Sequence, residues 1–133
     1  MDSTTDTPTL TGHCLCGAIL FAATRPFNWV LHCHCESCRR ATASPMTTFV
    51  SVPNGQLRWT GTPAIFASSP GVTRQFCPTC GSPVSYAYAD KPHETHIYAA
   101  LLDEPDAVTP EGHDFAVEAI GWMHPLPATK DMP

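Results

Sequence analysis

Short apolar segments separated by Gly, Pro and Asn follow one another along the chain and predict a series of β-strands. Residues 56–60, QLRWT, alternate so that Leu57 and Trp59 share one face, which is the period of a half-buried strand. Residues 46–53 are rich in β-branched residues, which favour the same conformation. Residues 95–103 are apolar on both faces and predict a central strand or one covered on both sides. The other predicted strands are 17–26, 64–69, two within 72–89, and 114–122.

A single short helix is predicted at residues 36–43, ESCRRATA, where a Ser-Pro pair ends it. Residues 1–10 and 126–133 predict a flexible N-terminal tail and a C-terminal tail. The 133 residues suffice for one hydrophobic core, which we place in a single domain at 11–125. The predicted fold is mainly β, with short antiparallel strands and one short helix.

Composition and charge limit the classes of partner that we expect for this domain. The 14 prolines disfavour long helices. A net charge of −5 with only seven Lys plus Arg leaves no basic stripe, so we expect no nucleic-acid partner. The first residues, MDSTTDTPTLTG, are polar and acidic, and no apolar run approaches the ~18–20 residues that span a bilayer. We therefore expect no membrane partner and a cytoplasmic protein whose thiols stay reduced.

Four of the seven cysteines form two motif-spaced pairs. Cys77 and Cys80 in CPTCG have the spacing and the trailing glycine of a zinc knuckle, and Cys14 and Cys16 in CLCG form a tighter pair. Closing the 61 residues between Cys16 and Cys77 costs about 3.6 kcal/mol, whereas zinc binding returns roughly 10–16 kcal/mol. Buried free thiols are the alternative. We predict a structural zinc held by all four cysteines.

A second motif, HCHCESC, contains Cys33, Cys35 and Cys38 and therefore lacks one ligand of a closed zinc site. Alternate residues of an extended segment face opposite sides, so His32 and His34 cannot easily reach the same metal. Either the fourth position is open, as in catalytic zinc sites, or a distant histidine completes it. The distant candidates are His13, His93, His96, His113 and His124. An open thiolate-rich zinc would favour an incoming thiol and lower its pKa.

Two arginines, Arg39 and Arg40, directly follow Cys38. A guanidinium group pairs bidentately with a carboxylate, so these side chains could receive a small acidic thiol. Alternatively they offset the charge of three thiolates or face solvent. Both interpretations stay open for Arg39, our candidate substrate-binding residue, whereas for Arg40 we favour the role of offsetting charge or facing solvent.

The segments GHCLCGAILF, HCHCESCRRATASP, RQFCPTCGSPVSY and LLDEP, with a final His113 and Trp122, resemble the glutathione-dependent formaldehyde-activating enzyme family over residues 11–123. All seven cysteines follow the family's order and spacing. The resemblance implies a β-tent fold, shared with centromere protein V and small guanine-nucleotide-exchange-factor-like domains. It implies two zincs per chain, a structural one and an active-site one held by the catalytic residues Cys33, Cys35 and Cys38. The implied activity is that of a carbon–sulfur lyase, which joins formaldehyde to glutathione.

The segment HDFAVEAIGW departs from the family pattern at three positions. The aromatic differs at Phe115, and Ala119 and Gly121 stand where the family has Lys and Pro. A lysine there could bind an anionic substrate, and its absence here leaves the identity of the thiol open between glutathione and a similar thiol. Two functions follow: a zinc-dependent lyase acting on that thiol and an aldehyde such as formaldehyde, or a non-catalytic zinc-binding β module that mediates protein interaction.

Overall fold

The computed structural model describes residues 8–123, and these residues form ten β-strands, one α-helix and four short 3-10 turns. The strands are β1 Thr9–His13, β2 Leu20–Thr24, β3 Trp29–Cys33, β4 Thr47–Pro53, β5 Leu57–Thr60, β6 Ala64–Ser69, β7 Val72–Phe76, β8 Pro83–Tyr88, β9 Glu94–Tyr98 and β10 His113–Asp114. The helix α1 is Glu36–Thr42, and the 3-10 turns are Asn54–Gln56, Ala99–Leu101, Pro105–Ala107 and Ala116–Glu118. The predicted mainly β class with one short helix is confirmed. The predicted C-terminal tail lies outside the described residues.

Two sheets share the main hydrophobic core. The smaller has the order β1-β2-β5 and the larger the order β10-β3-β4-β9-β8-β7-β6. Neighbouring strands are antiparallel, except that β10 runs parallel to β3. Phe21 and Ala23 of the smaller sheet pack in one cluster with Val50, Val52 and Ile97 of the larger. The larger sheet has β9 near its centre, between β4 and β8, as the apolar sequence of that strand predicts.

A row of direct cross-strand neighbours crosses the other face of the larger sheet. The register places Ser51 opposite His96, His96 opposite Tyr86, Tyr86 opposite Arg74 and Arg74 opposite Phe66. Paired residues of neighbouring strands point to the same face, so these five side chains lie side by side. The two cavities described below open along this row.

The helix α1 agrees with the predicted helix at 36–43 to within one residue. It begins after Cys35, whose Sγ accepts the backbone N–H of Cys38 at 3.3 Å. It ends at Thr42, and the next residue, Ala43, has a left-handed φ of 55°, a common conformation just beyond a helix. The cap at Cys35 fixes two candidate ligands relative to each other. Within residues 8–123 no helix is long and apolar enough to cross a membrane.

The strands differ from the prediction in several places, and two of these differences involve the hydrophobic core. β1 starts at Thr9, inside the predicted N-terminal tail, because Leu10 is buried in the core and β1 pairs with β2. The strand predicted at 95–103 ends at Tyr98. A 3-10 turn follows and carries Leu102 back into the core, where its side chain is 5% exposed.

The strand predicted at 114–122 is wrong. Only His113–Asp114 pairs with β3, and Phe115 then turns the chain with a left-handed φ of 53°. A 3-10 turn follows. Val117 and Trp122, which are 96% and 68% exposed, cover no face of a sheet. The apolar residues of this segment therefore do not mark a buried strand.

Candidate metal centres

Four cysteines from two distant loops meet in one cluster. The Sγ atoms of Cys14, Cys16, Cys77 and Cys80 all lie within 4.8 Å of one another. The Sγ of Cys16 is 3.7 Å from that of Cys14 and 3.7 Å from that of Cys77. Four sulfurs placed tetrahedrally about a zinc at ~2.3 Å are about 3.8 Å apart. The geometry of this donor set therefore fits a soft divalent metal such as zinc.

The backbone around the four-cysteine cluster is shaped to meet sulfur. Gly17 and Gly81 follow the two cysteine pairs with φ of 82° and 81°, which glycine adopts without strain. The N–H of Ile19 donates to the Sγ of Cys14 at 3.3 Å, and the N–H of Thr79 donates to that of Cys77 at 3.3 Å. Such bonds favour the thiolate. The cluster joins the loop after β1, in the smaller sheet, to the β7–β8 hairpin of the larger one.

The other three cysteines form a second cluster at one strand–helix junction. The Sγ atoms of Cys33, Cys35 and Cys38 lie within 4.8 Å of one another. Cys33 and Cys38 are buried and pack with Phe49 and Tyr98 on the outer face of the larger sheet. Among the residues that the structure describes, no histidine or carboxylate joins this set. Three thiols can hold a soft metal while leaving one of its positions to another ligand.

The thiols of the three-cysteine cluster differ in the direction of their pKa shifts. The hydrogen bond with Cys35 is the main cause that raises the pKa of Cys33, and the hydrogen bond with Cys33 is the main cause that lowers the pKa of Cys35. The hydrogen bonds among the three cysteines therefore favour one thiolate within the cluster. Because metals bind thiolates rather than thiols, this cluster is prepared to receive a cation.

The histidines that could have completed the second cluster lie elsewhere. His32 and His34 are outside it, and with His113 they form a separate group: His34 Nε2 is 2.8 Å from His113 Nδ1, and the rings of His32 and His113 are 5.0 Å apart. Of the other candidates, His13 lies beside Asp103, His93 is exposed, and His124 lies outside the described residues. That leaves His96, which borders the cluster's cavity without ligating.

Two cavities open beside the three-cysteine cluster. The smaller, of about 50 Å³, is bordered by the three cysteines together with Phe49, Tyr86 and His96. A space of this size holds only a few heavy atoms. The larger, of about 630 Å³, is lined by Arg40, Arg74 and Tyr98, and by hydroxyl groups. The smaller cavity at the sulfurs is also bordered by Asp114, and the larger one holds two guanidinium groups among apolar side chains such as Phe66 and Phe76.

Sequence reasoning missed Arg74, a buried cation beside the second cluster. Its side chain is 8% exposed, and Nη1 and Nη2 lie 3.8 Å and 3.7 Å from the Sγ of Cys38. Nη2 also donates to Ser37 Oγ at 3.0 Å, and the guanidinium lies 5.1 Å from the ring centroid of Tyr86. Burial disfavours its charge, but the hydrogen bond to Cys38 prevails and raises the pKa of Arg74. Long-range strand register places Arg74 beside Cys38. The sequence signal that could have indicated this residue is its position in β7, just before the CPTCG motif.

The arginines of α1 are less closely engaged with the sulfurs. Arg40 is exposed and pairs with Glu36 at 2.8 Å, one helical turn away. Arg39 is half-buried, and its Nε has no hydrogen-bond partner among the described residues. The contact with a candidate ligand is made by Arg74 instead.

The comparisons with known proteins agree with this picture. Residues 9–118 match the family described as glutathione-dependent formaldehyde-activating enzyme. A Schizosaccharomyces pombe protein named as an uncharacterized lyase is 29% identical over 119 residues, which cover 82% of this chain and 87% of that protein. A crystal structure of a Rhodobacter sphaeroides protein superposes with a TM-score of 0.62 at 20% identity, over 78% of this chain and 99% of the other. The last likeness concerns the fold alone.

Proposed function

Because the chain belongs to the glutathione-dependent formaldehyde-activating enzyme family, we propose that it is a zinc-dependent carbon–sulfur lyase. Its substrates would be a small thiol, glutathione or a similar one, and an aldehyde such as formaldehyde. The lyase-named yeast relative supports the reaction class. We further propose that it works in the cytoplasm as a single domain at residues 11–125, extended at its start by the first residues of β1.

Each cysteine cluster has its own proposed part. Cys14, Cys16, Cys77 and Cys80 would hold a structural zinc, since all four positions are filled by sulfur and the cluster ties together two sheets. Cys33, Cys35 and Cys38 would hold the second zinc and form the catalytic site. A zinc bound there would lower the pKa of an incoming thiol and keep it as a reactive thiolate.

The observation that carries this proposal is the setting of the three-cysteine cluster. It lacks a fourth ligand within the described part of the chain, and it borders a cavity of about 50 Å³. A sulfur and a one-carbon aldehyde together occupy only a few heavy-atom positions, which suits that volume. Trp29, Phe49 and Tyr86 border the cavity and would exclude bulk water from the reacting atoms.

The larger cavity supports an acidic thiol as the substrate. Arg74 connects the sulfur of Cys38 with this space, and Arg40 lines its rim. In contrast to the expectation from the sequence for Arg40, we propose that these two guanidinium groups receive carboxylates of the thiol while its sulfur reaches the cluster. Arg39, the residue predicted from the sequence, stays a candidate for the same role, because it is half-buried on α1 next to Cys38.

The test is the rate of adduct formation between glutathione and formaldehyde. Exchange NMR with zinc-loaded protein should show interconversion of free and S-hydroxymethylated glutathione well above the spontaneous rate. Cys35→Ser should return the rate to background while the melting temperature stays near that of the parent protein. A zinc-loaded parent protein no faster than buffer would overturn the proposal and favour a binding module.

A further inference from the structure

A chain of hydrogen-bonded polar side chains runs from exposed Asn28 to His96, which borders the cavity of the three-cysteine cluster. Asn28 Nδ2 donates to Ser51 Oγ at 3.0 Å, and Ser51 Oγ donates to Glu94 Oε2. The same carboxylate oxygen lies 2.9 Å from His96 Nε2. Four side chains thus form one connected line that ends at an imidazole ring.

This line fixes which nitrogen of His96 carries the proton. The side chains of His96 and Glu94 are only 12% and 18% exposed. Burial opposes the charge of Glu94, but the hydrogen bonds from Ser51 and His96 prevail and lower its pKa, so it stays a carboxylate. A carboxylate only accepts hydrogen bonds, so Nε2 must donate to it. Nδ1 of the neutral ring then carries a free lone pair.

The ring of His96 stands at the cavity where the reaction would occur. It borders the same space of about 50 Å³ as the three cysteines. Aromatic rings enclose it: its centroid lies 4.6 Å from that of Trp29, 5.5 Å from that of Tyr86 and 5.9 Å from that of Phe49. A base enclosed in this way exchanges protons with the substrate with little competition from bulk water.

We infer that His96, oriented by Glu94, is the proton-transfer residue of the lyase reaction, an inference that rests on the proposed function. Nδ1 takes the proton from the substrate thiol, and a sulfur electron pair forms the bond to the carbonyl carbon. The π pair of the carbonyl moves onto its oxygen, which then takes the proton back from Nδ1. The same transfers in reverse release the aldehyde. No electrons are gained or lost, and the ring returns to its starting state.

A purely structural role for this pair would look different. A histidine that only packs beside Trp29 and anchors Glu94 could be replaced at a cost in stability, with little change in the rate of the folded protein. A proton-transfer residue loses turnover while substrate binding is kept. General acid–base catalysis typically contributes about 10²–10⁴-fold.

The experiment measures kcat and KM for adduct formation in three variants of the zinc-loaded protein. His96→Gln should lower kcat by about 100-fold with KM within about threefold. Glu94→Gln keeps the imidazole but loses its orientation, and should lower kcat by about tenfold. His93→Gln, on the exposed turn before β9, is the matched control and should equal the parent protein.

A further variant separates chemistry from folding. In His96→Gly, added imidazole should restore part of the lost kcat, whereas a merely misfolded protein would not respond. Zinc content and melting temperature are measured for every variant. Parent-like kcat in folded His96→Gln, or no rescue of His96→Gly, would overturn this inference and leave the proposed function standing. No rate above background in the parent protein would overturn both.

Discussion

The two cysteine clusters use the same ligand chemistry in opposite structural settings. The four-cysteine cluster joins positions 61 residues apart, Cys16 and Cys77, and so connects the two sheets. The three-cysteine cluster is local: Cys33 ends a strand and Cys38 lies in the helix that follows it. The first cluster is complete in itself, whereas the second has three sulfurs and a cavity.

The groups that meet the sulfurs differ in the same way. Backbone N–H groups of Ile19 and Thr79 approach the four-cysteine cluster, and their positions are fixed by the chain. At the other cluster the backbone N–H of Cys38 donates to Cys35, but a side-chain cation, Arg74, also approaches Cys38. Backbone donors suit a permanent link between segments. A buried guanidinium would offset charge at a site that is proposed to accept an additional anionic ligand.

The largest difference between the two clusters is expected when Cys77 is replaced. Cys77→Ser removes one ligand of the cluster that ties the sheets together, and we expect a loss on the order of 5 kcal/mol or more in the free energy of unfolding. At roughly 4 °C per kcal/mol for a chain of this length, the melting temperature should fall by about 20 °C. Calorimetry with and without a chelator measures this. Cys35→Ser is the matched control and should melt within about 5 °C of the parent; equal losses in both variants would refute the division of roles.

Metal release sharpens the same contrast. A competing chelator should extract metal in two phases, with the three-cysteine cluster emptied first, because its coordination is open to exchange. Protons compete with the metal for thiolates, so affinity falls as pH falls, and the three-cysteine cluster should empty at the higher pH. Zinc release with a colorimetric indicator follows both experiments. A single phase, or one zinc per chain, would count against two distinct centres.

Replacement of Arg74 should have an effect of intermediate size on metal binding. Hydrogen bonds that involve a charged group contribute about 1.5–3 kcal/mol, so Arg74→Gln should weaken metal binding at the three-cysteine cluster by roughly 10–100-fold. The four-cysteine cluster should be unaffected. Chelator competition measures both sites, and Arg58→Gln, an exposed position on β5, is the control. An unchanged second site would show that the contact with Cys38 has no role in metal binding.

The smallest effect is expected at Arg40. Its ion pair with Glu36 joins exposed side chains, and such pairs contribute little to stability. Arg40→Ala should shift the melting temperature by less than about 2 °C and leave both metal affinities unchanged. Only the affinity for an acidic thiol should fall, as measured by calorimetric titration. A large loss of metal would mean that α1, and not Arg74, sets the charge of the site.

The sequence supports accurate prediction wherever the signal is local. The strand at 56–60 and the helix at 36–43 were predictable because alternation and a Ser-Pro stop act within a few residues. The structure brings the cysteines of each cluster together, and both clusters could be predicted from motif spacing alone. Periodicity was misleading at 114–122, because Val117 and Trp122 are apolar yet exposed.

Long-range register could not be predicted. Arg74 reaches Cys38, 36 residues away in the chain, only because β7 pairs with β8 in one particular register. The pair of Glu94 and His96 has an i, i+2 spacing that any strand places on one face, but nothing in that spacing shows that the face borders the cysteines. These contacts depend on the assembled sheet.

The most direct test of the account replaces zinc by cobalt, whose thiolate charge-transfer absorption reports the number of sulfur ligands at each ion. The four-cysteine cluster should show four-sulfur absorption that added glutathione does not change. The three-cysteine cluster should move from three-sulfur towards four-sulfur absorption as glutathione is added, and Cys35→Ser should abolish that change while the other signal persists. A spectrum indifferent to millimolar glutathione, or the same response in Cys35→Ser, would contradict the claim that one centre is closed and the other open to a thiol.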